Sequence, residues 1–279
     1  MKSAPFAMHQ VNSQLEILNL LDQYGEDARI IAGGQTLLPV LAMRVASPDH
    51  LIDINKVVEL KNISLSDGLL QVGAGVRQAE LENWSGLHKA QPLLGMMFPW
   101  IAHTPIRNRG TVCGSIAHAD PSAELVLALA VLEGSVILVS KKKRRIVKAK
   151  DFFVGALQTS RQSNELIEAV QFPICNPEAG FGFSEYGYRH GDFAVVAVAA
   201  IKQGDSWTIG FGGIDDVAQT YQCVASSLNE VNQFIDDLAA AVEVREDPTA
   251  TSGLRRHLMR SLGKRACQQA IDFKSDGIR

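Results

Sequence analysis

Cysteine is sparse in this sequence. Cys113, Cys175, Cys223 and Cys267 are its four thiols, and no two stand at the close C-x2-C spacing of zinc or iron–sulfur ligands. Electron chemistry on this chain would therefore need an organic cofactor or a metal-bearing partner. Cys175, Cys223 and Cys267 read as reduced, unpaired thiols. Excess charge is also lacking: 27 basic residues face 30 acidic ones, and a net charge of −3 gives no bulk attraction for nucleic acid. No apolar run approaches the roughly 20 residues that span a bilayer. The stretch from Met1 to Met8 lacks the apolar core of a secretory signal, so a cytoplasmic location is expected. With 279 residues, 46% of them hydrophobic, there is enough chain for one large domain or two to three small ones.

What is present begins with a capping box. Ser13 and Glu16 are spaced to satisfy each other's free amides, and Leu15, Ile17, Leu18, Leu20 and Leu21 follow as a helical stripe ending at Gly25. Arg29 to Ala32 reads as a short buried strand running into Gly33-Gly34, with a short helix at Leu37, Leu38, Val40 and Leu41 and a second strand at Leu51 to Ile54. From about Glu59 shorter strands and turns take over. Asp120-Pro121 suits the start of a helix carrying Leu125, Leu127, Leu129 and Leu132, with aspartate as its cap. The basic run from Lys141 to Arg145 lies between two strands and reads as a solvated hairpin turn, with a docking patch as the alternative. After Asn176-Pro177 come two strands, Phe193 to Ala200 and Trp207 to Phe211. A last helix follows, with Leu254, Leu258, Leu262 and Ala266 as its seam and Arg255, Arg256, Arg260, Lys264 and Arg265 as its solvated face.

Two glycine turns carry the chemistry. Ala32-Gly33-Gly34-Gln35-Thr36 puts backbone N–H groups, unshielded by side chains, at the mouth of a short helix, and Thr36 adds a hydroxyl. A diphosphate suits such a donor set, although Gly-Gly after a strand is equally a plain tight turn. The second turn, Thr111-Val112-Cys113-Gly114-Ser115, follows Arg107-Asn108-Arg109-Gly110 and leads to Asp120. Asp120 reads as a helix cap whose carboxylate has a second candidate role, accepting from a ribose hydroxyl. Neither turn matches the G-x-G-x-x-G fingerprint or the lysine-bearing phosphate loop.

Four segments in order, AGGQTLLPVLAMR (Ala32 to Arg44), LIDIN (Leu51 to Asn55), IRNRGTVCGSIAHADPSAE (Ile106 to Glu124) and YRHGDFAVVAVAA (Tyr188 to Ala200), resemble the FAD-binding medium subunits of the xanthine dehydrogenase and carbon monoxide dehydrogenase family. The resemblance covers nearly the whole chain. It implies an α+β protein: a two-subdomain FAD-binding fold of the vanillyl-alcohol-oxidase/PCMH type over residues 1–175 (subdomains about 1–57 and 58–175). A C-terminal α/β sandwich-like domain of the CO dehydrogenase flavoprotein type would fill residues 176–279. It also implies that Ala32, Gly33, Gly34, Gln35, Thr36 and Leu37 meet the FAD diphosphate region, with Thr111, Gly114, Ser115 and Asp120 as the opposite wall. Ile101 and Leu166 stand near the family's apolar contacts, and Arg189, His190 and Asp192 sit in a matching motif with no assigned role.

One residue departs from the pattern. Cys113 stands where the family usually has the first of two adjacent glycines. At positive φ a cysteine would cost about 1 kcal/mol or more, whereas a position that merely needs a small side chain accepts it. A thiol beside the flavin is the third reading.

The family setting implies an oxidoreductase with divided labour. A large subunit would carry a molybdenum–pterin cofactor, a small subunit two [2Fe–2S] clusters, and this chain would pass electrons through FAD to an external acceptor. No catalytic acid, base, nucleophile or metal ligand is then expected here. Two other readings are a self-sufficient FAD-dependent oxidase or reductase, and a scaffold subunit without flavin.

Overall fold

The computed structural model describes residues 2–273. The first unit is built from β1 (Ala7–Gln10), α1 (Gln14–Tyr24), β2 (Ala28–Ile31), α2 (Leu37–Ala42) and β3 (His50–Asp53), with the strands parallel in the order β1-β3-β2. The Ser13 hydroxyl accepts from the Glu16 amide at 3.3 Å, as its spacing predicts, but Glu16 Oε2 accepts from Asn12 N at 2.9 Å. The return bond of the cap thus lands one residue earlier than a capping box would place it. Helix α1 buries Ile17, Leu18 and Leu21 on one face of the sheet. Helix α2 covers the other face through Leu41, over Ile31 and Leu51.

The second unit comprises β4 (Ile63–Ser66), β5 (Leu69–Gly73), α3 (Gln78–Glu82), α4 (Leu87–Ala90), α5 (Pro92–Met97), α6 (Thr104–Arg107), α7 (Val112–His118), α8 (Glu124–Val131), β6 (Ser135–Val139), β7 (Arg144–Lys148), α9 (Ala149–Phe152), β8 (Phe153–Gly155), β9 (Gln158–Thr159) and β10 (Leu166–Pro173). Five of its strands form an antiparallel sheet in the order β4-β5-β10-β6-β7. The basic run forms the β6–β7 turn and its start, as expected. Lys141 pairs with Asp22 at 3.3 Å, Arg144 with Glu168 at 2.8 Å and Arg145 with the fully buried Glu165 at 2.7 Å, so three of the five cations of the run are tied to the protein itself.

Asp120 is not the cap of the leucine-rich helix. Helix α8 starts at Glu124 behind an extended Ala123, and Asp120 Oδ1 instead accepts from Ser122 N at 2.9 Å. The reason lies in the third unit. Gly213 N takes the Pro121 carbonyl at 2.8 Å, which docks residues 120–123 as a turn on a neighbouring sheet. That carbonyl is lost to the helix.

The third unit is an antiparallel meander of β11 (Gly180–Tyr186), β12 (Val196–Gln203), β13 (Ser206–Gly212) and β14 (Gln219–Val224), followed by α10 (Leu228–Ala241) and α11 (Ser252–Asp272). Residues alternate between two cores, as a pleated strand requires. Phe181, Phe183, Ala197 and Ala199 pack into the core of the second unit. Val196, Val198, Ala200, Trp207 and Ile209 pack with Met259, Leu262 and Ala266 of α11. Gly180 and Gly182 allow that approach, since a Cβ at either would stand 1.9 Å from the carbonyl oxygen of Ala270 or Ala266. Strand β12 begins at Val196, three residues later than expected, because residues 187–195 form a loop.

The cationic face of α11 is not wholly solvated. Arg255 is fully buried, donating to the carbonyls of Val195 and Gly213 and pairing with Asp247. Arg256 donates to the carbonyls of Ala239 and Val242, and Lys264 pairs with Asp236 at 2.7 Å. The helix buries a stripe wider than its leucine seam, and residues beside the seam reach orphan carbonyls.

Candidate functional site

Strand β2 delivers the chain to the first glycine turn, and the two glycines there do different things. Gly34 has φ of 72°, a left-handed conformation that costs a residue with a Cβ roughly 1–2 kcal/mol. Gly33 is required by contact: a Cβ on it would lie 2.4 Å from the Arg109 carbonyl oxygen and 2.7 Å from Gly110 Cα. The first turn is therefore packed directly on the segment that leads into the second. A polar brace holds them together. Asn55 Nδ2 donates to the Ala32 carbonyl at 2.9 Å, and Arg77 bridges Asn55 Oδ1 to the Arg109 carbonyl. Asn55 was visible as the last residue of the LIDIN segment; nothing in the sequence pointed to Arg77.

Thr111 caps α7, its Oγ1 accepting from Gly114 N at 3.0 Å. The helix buries Val112, Cys113 and Ile116 and turns Gly114 outward, with Ser115 half-buried beside it. A Cβ on Gly114 would meet only the Thr111 side chain, so its outer side is open to another molecule. Cys113 has an ordinary helical conformation and points into the core, where Sγ lies 3.4 Å from the Val72 carbonyl. Burial pushes its thiol pKa up to about 12. Cys113 is accommodated as a small side chain whose thiol is turned into the core.

Helix α7 ends at Ala119, whose φ of 54° is left-handed. Leu157 N donates to the Ala119 carbonyl at 3.1 Å and is itself left-handed, with φ of 57°. Two such residues joined by one hydrogen bond store roughly 1–3 kcal/mol each, strain of the kind that gathers at ligand sites. They stand at the edge of a cavity of about 630 Å³. Its walls come from Asp120 to Ser122, from Ala156 and Leu157, from Tyr188 with Gly191 to Val195, and from Arg245, Asp247, Thr249 and Arg255. The wall is mixed: Pro121, Ala156, Leu157, Phe193, Ala194 and Val195 give it an apolar part, and Asp120, Asp192, Arg245, Asp247 and Arg255 a charged one, at a size that admits an organic ring system. Arg255 fixes the wall by holding Val195, and Tyr188 Oη donates to the Thr249 carbonyl.

The predicted site residues thus divide. Gly33 of the first turn packs on Arg109 and Gly110, which lead directly into Thr111, Gly114 and Ser115. Asp120 lines the cavity at the far end of α7, with its Oδ2 3.9 Å from His118 Nε2. Leu37 packs against the small core of Ile31, Leu41 and Leu51. Ile101 and Leu166 are buried in the main core, at 7% and 1% exposure, and do not line the cavity. Arg189 and His190 are exposed on the loop that carries the cavity residues Tyr188 and Asp192. Sequence reasoning missed Tyr188, Arg245, Asp247 and Arg255 as wall residues, and it missed the buried acids Glu124 and Glu185.

Residues 4–175 match the FAD binding domain in molybdopterin dehydrogenase. The chain belongs to that family. Its relatives include the 6-hydroxypseudooxynicotine dehydrogenase complex subunit alpha of Paenarthrobacter nicotinovorans, 40% identical over 72% of this chain and 68% of that protein. The caffeine dehydrogenase subunit beta of Pseudomonas sp. (strain CBB1) is 30% identical over 98% of this chain and 97% of its own length. Carbon monoxide dehydrogenase from Hydrogenophaga pseudoflava, in a form lacking the Mo-pyranopterin moiety of its molybdenum cofactor, superposes with a TM-score of 0.91 at 28% identity. That match covers 98% of this chain and 99% of the other. Family and fold agree with the α+β architecture expected from the sequence. This is an FAD-binding chain of the molybdopterin dehydrogenases, and its relatives are subunits of oxidoreductases. Among the described residues no helix is long and apolar enough to cross a membrane, and no group of three or more His, Cys, Asp or Glu is placed to hold a metal ion.

Proposed function

We propose that this chain is the medium, electron-transferring subunit of a molybdenum hydroxylase, holding FAD extended along helix α7. The observation that carries the reading is the position of that helix. The segment that leads into its N-terminus meets the first glycine turn, its outer face is open at Gly114, and Asp120 just past its C-terminal end lines the cavity. Seven residues at about 1.5 Å each separate the two ends by roughly 10 Å, a span that suits a dinucleotide's length. Ala32, Gly33, Gly34, Gln35 and Thr36, with the backbone at Leu37, would hold the diphosphate through amides and the Thr36 hydroxyl. Thr111, Gly114 and Ser115 would form the facing wall, and Asp120 would accept from a sugar hydroxyl or ring N–H where the cavity begins. Ile101 and Leu166 would act from the core behind these walls.

Bound FAD would supply the exchange between one-electron donors and a two-electron acceptor. The chain's part is to orient the flavin, enclose its ring behind Leu157, Tyr188 and Phe193, and limit water there. The electrons would arrive from [2Fe–2S] clusters of a small partner subunit, after a large subunit with a molybdenum–pterin cofactor oxidised the organic substrate. They would leave to an external acceptor. The four free thiols fit a reducing compartment such as the cytoplasm. We divide the chain at residue 175, an FAD-binding domain followed by a smaller C-terminal domain.

The test is to isolate the native assembly and measure flavin, iron and molybdenum against each polypeptide. The reading expects about one FAD per copy of this chain, with iron and molybdenum tracking two other polypeptides. A lone chain that reduces its own flavin with an organic substrate would defeat it, as would a native assembly without flavin.

A further inference from the structure

Two acids are buried where the second and third units meet, and neither has a cation. Glu124 opens α8 at 5% exposure; Glu185 on β11 is 7% exposed, and its Oε2 is enclosed without a hydrogen-bond partner. Neither belongs to any ion pair among the described residues. The neighbouring elements explain why. Strand β12 sets Ala197 opposite Glu185, α5 carries no ionisable residue, and α8 carries only Glu124. Helix α11 meets β11 through Ala266, Ala270 and the Gln269 amide, which accepts from Phe183 N at 2.8 Å. The charges that act on the pair are the two carboxyls themselves and Asp120.

The pair sits just behind the cavity wall. Ser122 lines the cavity two residues before Glu124, and Val195 lines it two residues before the Ala197 that faces Glu185. Two residues of extended chain, as from Val195 to Ala197, span roughly 7 Å, a distance over which a charge in the protein interior is felt.

Resting on the FAD reading above, we propose that Glu185 and Glu124 hold a proton behind the cavity wall that sets how the bound flavin's potential depends on pH. Burial first, then Asp120, raises Glu124 to about 7. Burial first, then Glu124, raises Glu185 to about 9. Near neutral pH Glu185 is therefore protonated and Glu124 about half-ionised, so the pair carries less than one negative charge. Electrons delivered to the flavin by a reduced iron–sulfur cluster add negative charge, which raises the pair's proton affinity, and the proton bound in response comes from water. Loss of that proton at higher pH puts a carboxylate behind the ring and makes reduction harder. Glu185 acts through its field, as a positioning residue that touches no reacting atom.

The experiment is a potentiometric titration of the flavin-loaded complex, wild type beside Glu185→Gln, over a pH range bracketing about 7 and about 9. The two potentials should coincide at the acid end and diverge toward alkaline pH, with the wild type lower. Parallel lines over the whole range would overturn the inference. Infrared difference spectra of the wild type alone provide a second readout, because reduction should perturb the C=O band of a neutral buried carboxyl. Absence of that band overturns the inference even if the variant does not fold. Flavin content is measured first. A native complex without flavin defeats the FAD reading itself, whereas loaded protein with parallel lines defeats only the role of the acids.

Discussion

The two ends of α7 are built on different principles. At its N-terminus the site is made of backbone: Gly33 lies against Arg109 and Gly110, Gly34 is left-handed, and Thr111 caps the helix. At its C-terminal end the cavity is made of side chains and loops from four separate stretches, held by one buried arginine. A backbone site tolerates no change at its glycines but is local. A side-chain site depends on partners far apart in sequence, so its weak point stands far along the chain from the space it encloses. Breaking each end separately tests whether they are distinct.

The largest effect should come from Arg255→Met. It removes the donors to the Val195 and Gly213 carbonyls and leaves Asp247 without its buried partner. Asp247 keeps Arg245 at 3.5 Å, but each buried carbonyl left without its donor costs about 1–3 kcal/mol. We expect lower thermal stability and a flavin whose absorbance and fluorescence report a wetter ring, with FAD still bound through the turns. Flavin spectra identical to wild type would mean that the cavity does not receive the ring.

The buried acids give the next effect, and its sign is fixed. Glu124 and Glu185 have folded-state pKa values, about 7 and about 9, above the ordinary carboxylate value of 4.5. Between pH 4.5 and those values the folded state binds more protons than the unfolded one, so stability falls as pH rises. It is full below 4.5 and lost as pH climbs through each value, with a limiting slope of about 1.4 kcal/mol per pH unit for each proton. Chemical unfolding followed against pH should show this decline in the wild type, and Glu185→Gln should flatten its alkaline part. A decline of equal steepness in the variant would place its cause elsewhere.

At the other end, Gly33→Ala forces a methyl against two backbone groups that cannot swing aside. Overpacking of this kind costs about 1–3 kcal/mol. Because the clash pushes the two turns apart, the expected signature is loss of flavin out of proportion to the loss of stability. Retention of stoichiometric FAD by a folded variant would show that the contact between turns is structural only.

These differences also explain what was legible in the sequence. The first turn, the hairpin of basic residues and the strands around them are local, and Gly33-Gly34, Lys141 to Arg145 and Leu51 to Ile54 announced them. The cavity was not legible because Ser122, Leu157, Tyr188 and Arg245 stand on loops far apart in sequence and are joined only by tertiary packing. Arg255 looked solvated because a leucine seam defines a narrow stripe, whereas α11 buries two adjacent ones. Asp120 looked like a cap because Asp-Pro is good cap chemistry, and a carbonyl taken by Gly213 overrode it. Glu124 drew no notice because an acid in the first turn of a helix is ordinary until its burial is known.

Cys113 sharpens the comparison most finely, since it lies between the two ends. Its place in the sequence left open whether it strained the second turn. Inside α7, with its thiol on Val72 and an ordinary φ, it is a small apolar side chain on the helix's buried face. Cys113→Gly should then be mildly destabilising, by about 1 kcal/mol for glycine within a helix, rather than relieving strain. FAD content should stay at the wild-type level, because the open face of α7 belongs to Gly114, not to position 113. Thermal unfolding alongside flavin absorbance separates the outcomes. A gain in stability would mean that the cysteine strains the turn after all, and a marked loss of flavin at unchanged stability would mean that the second turn senses its buried face.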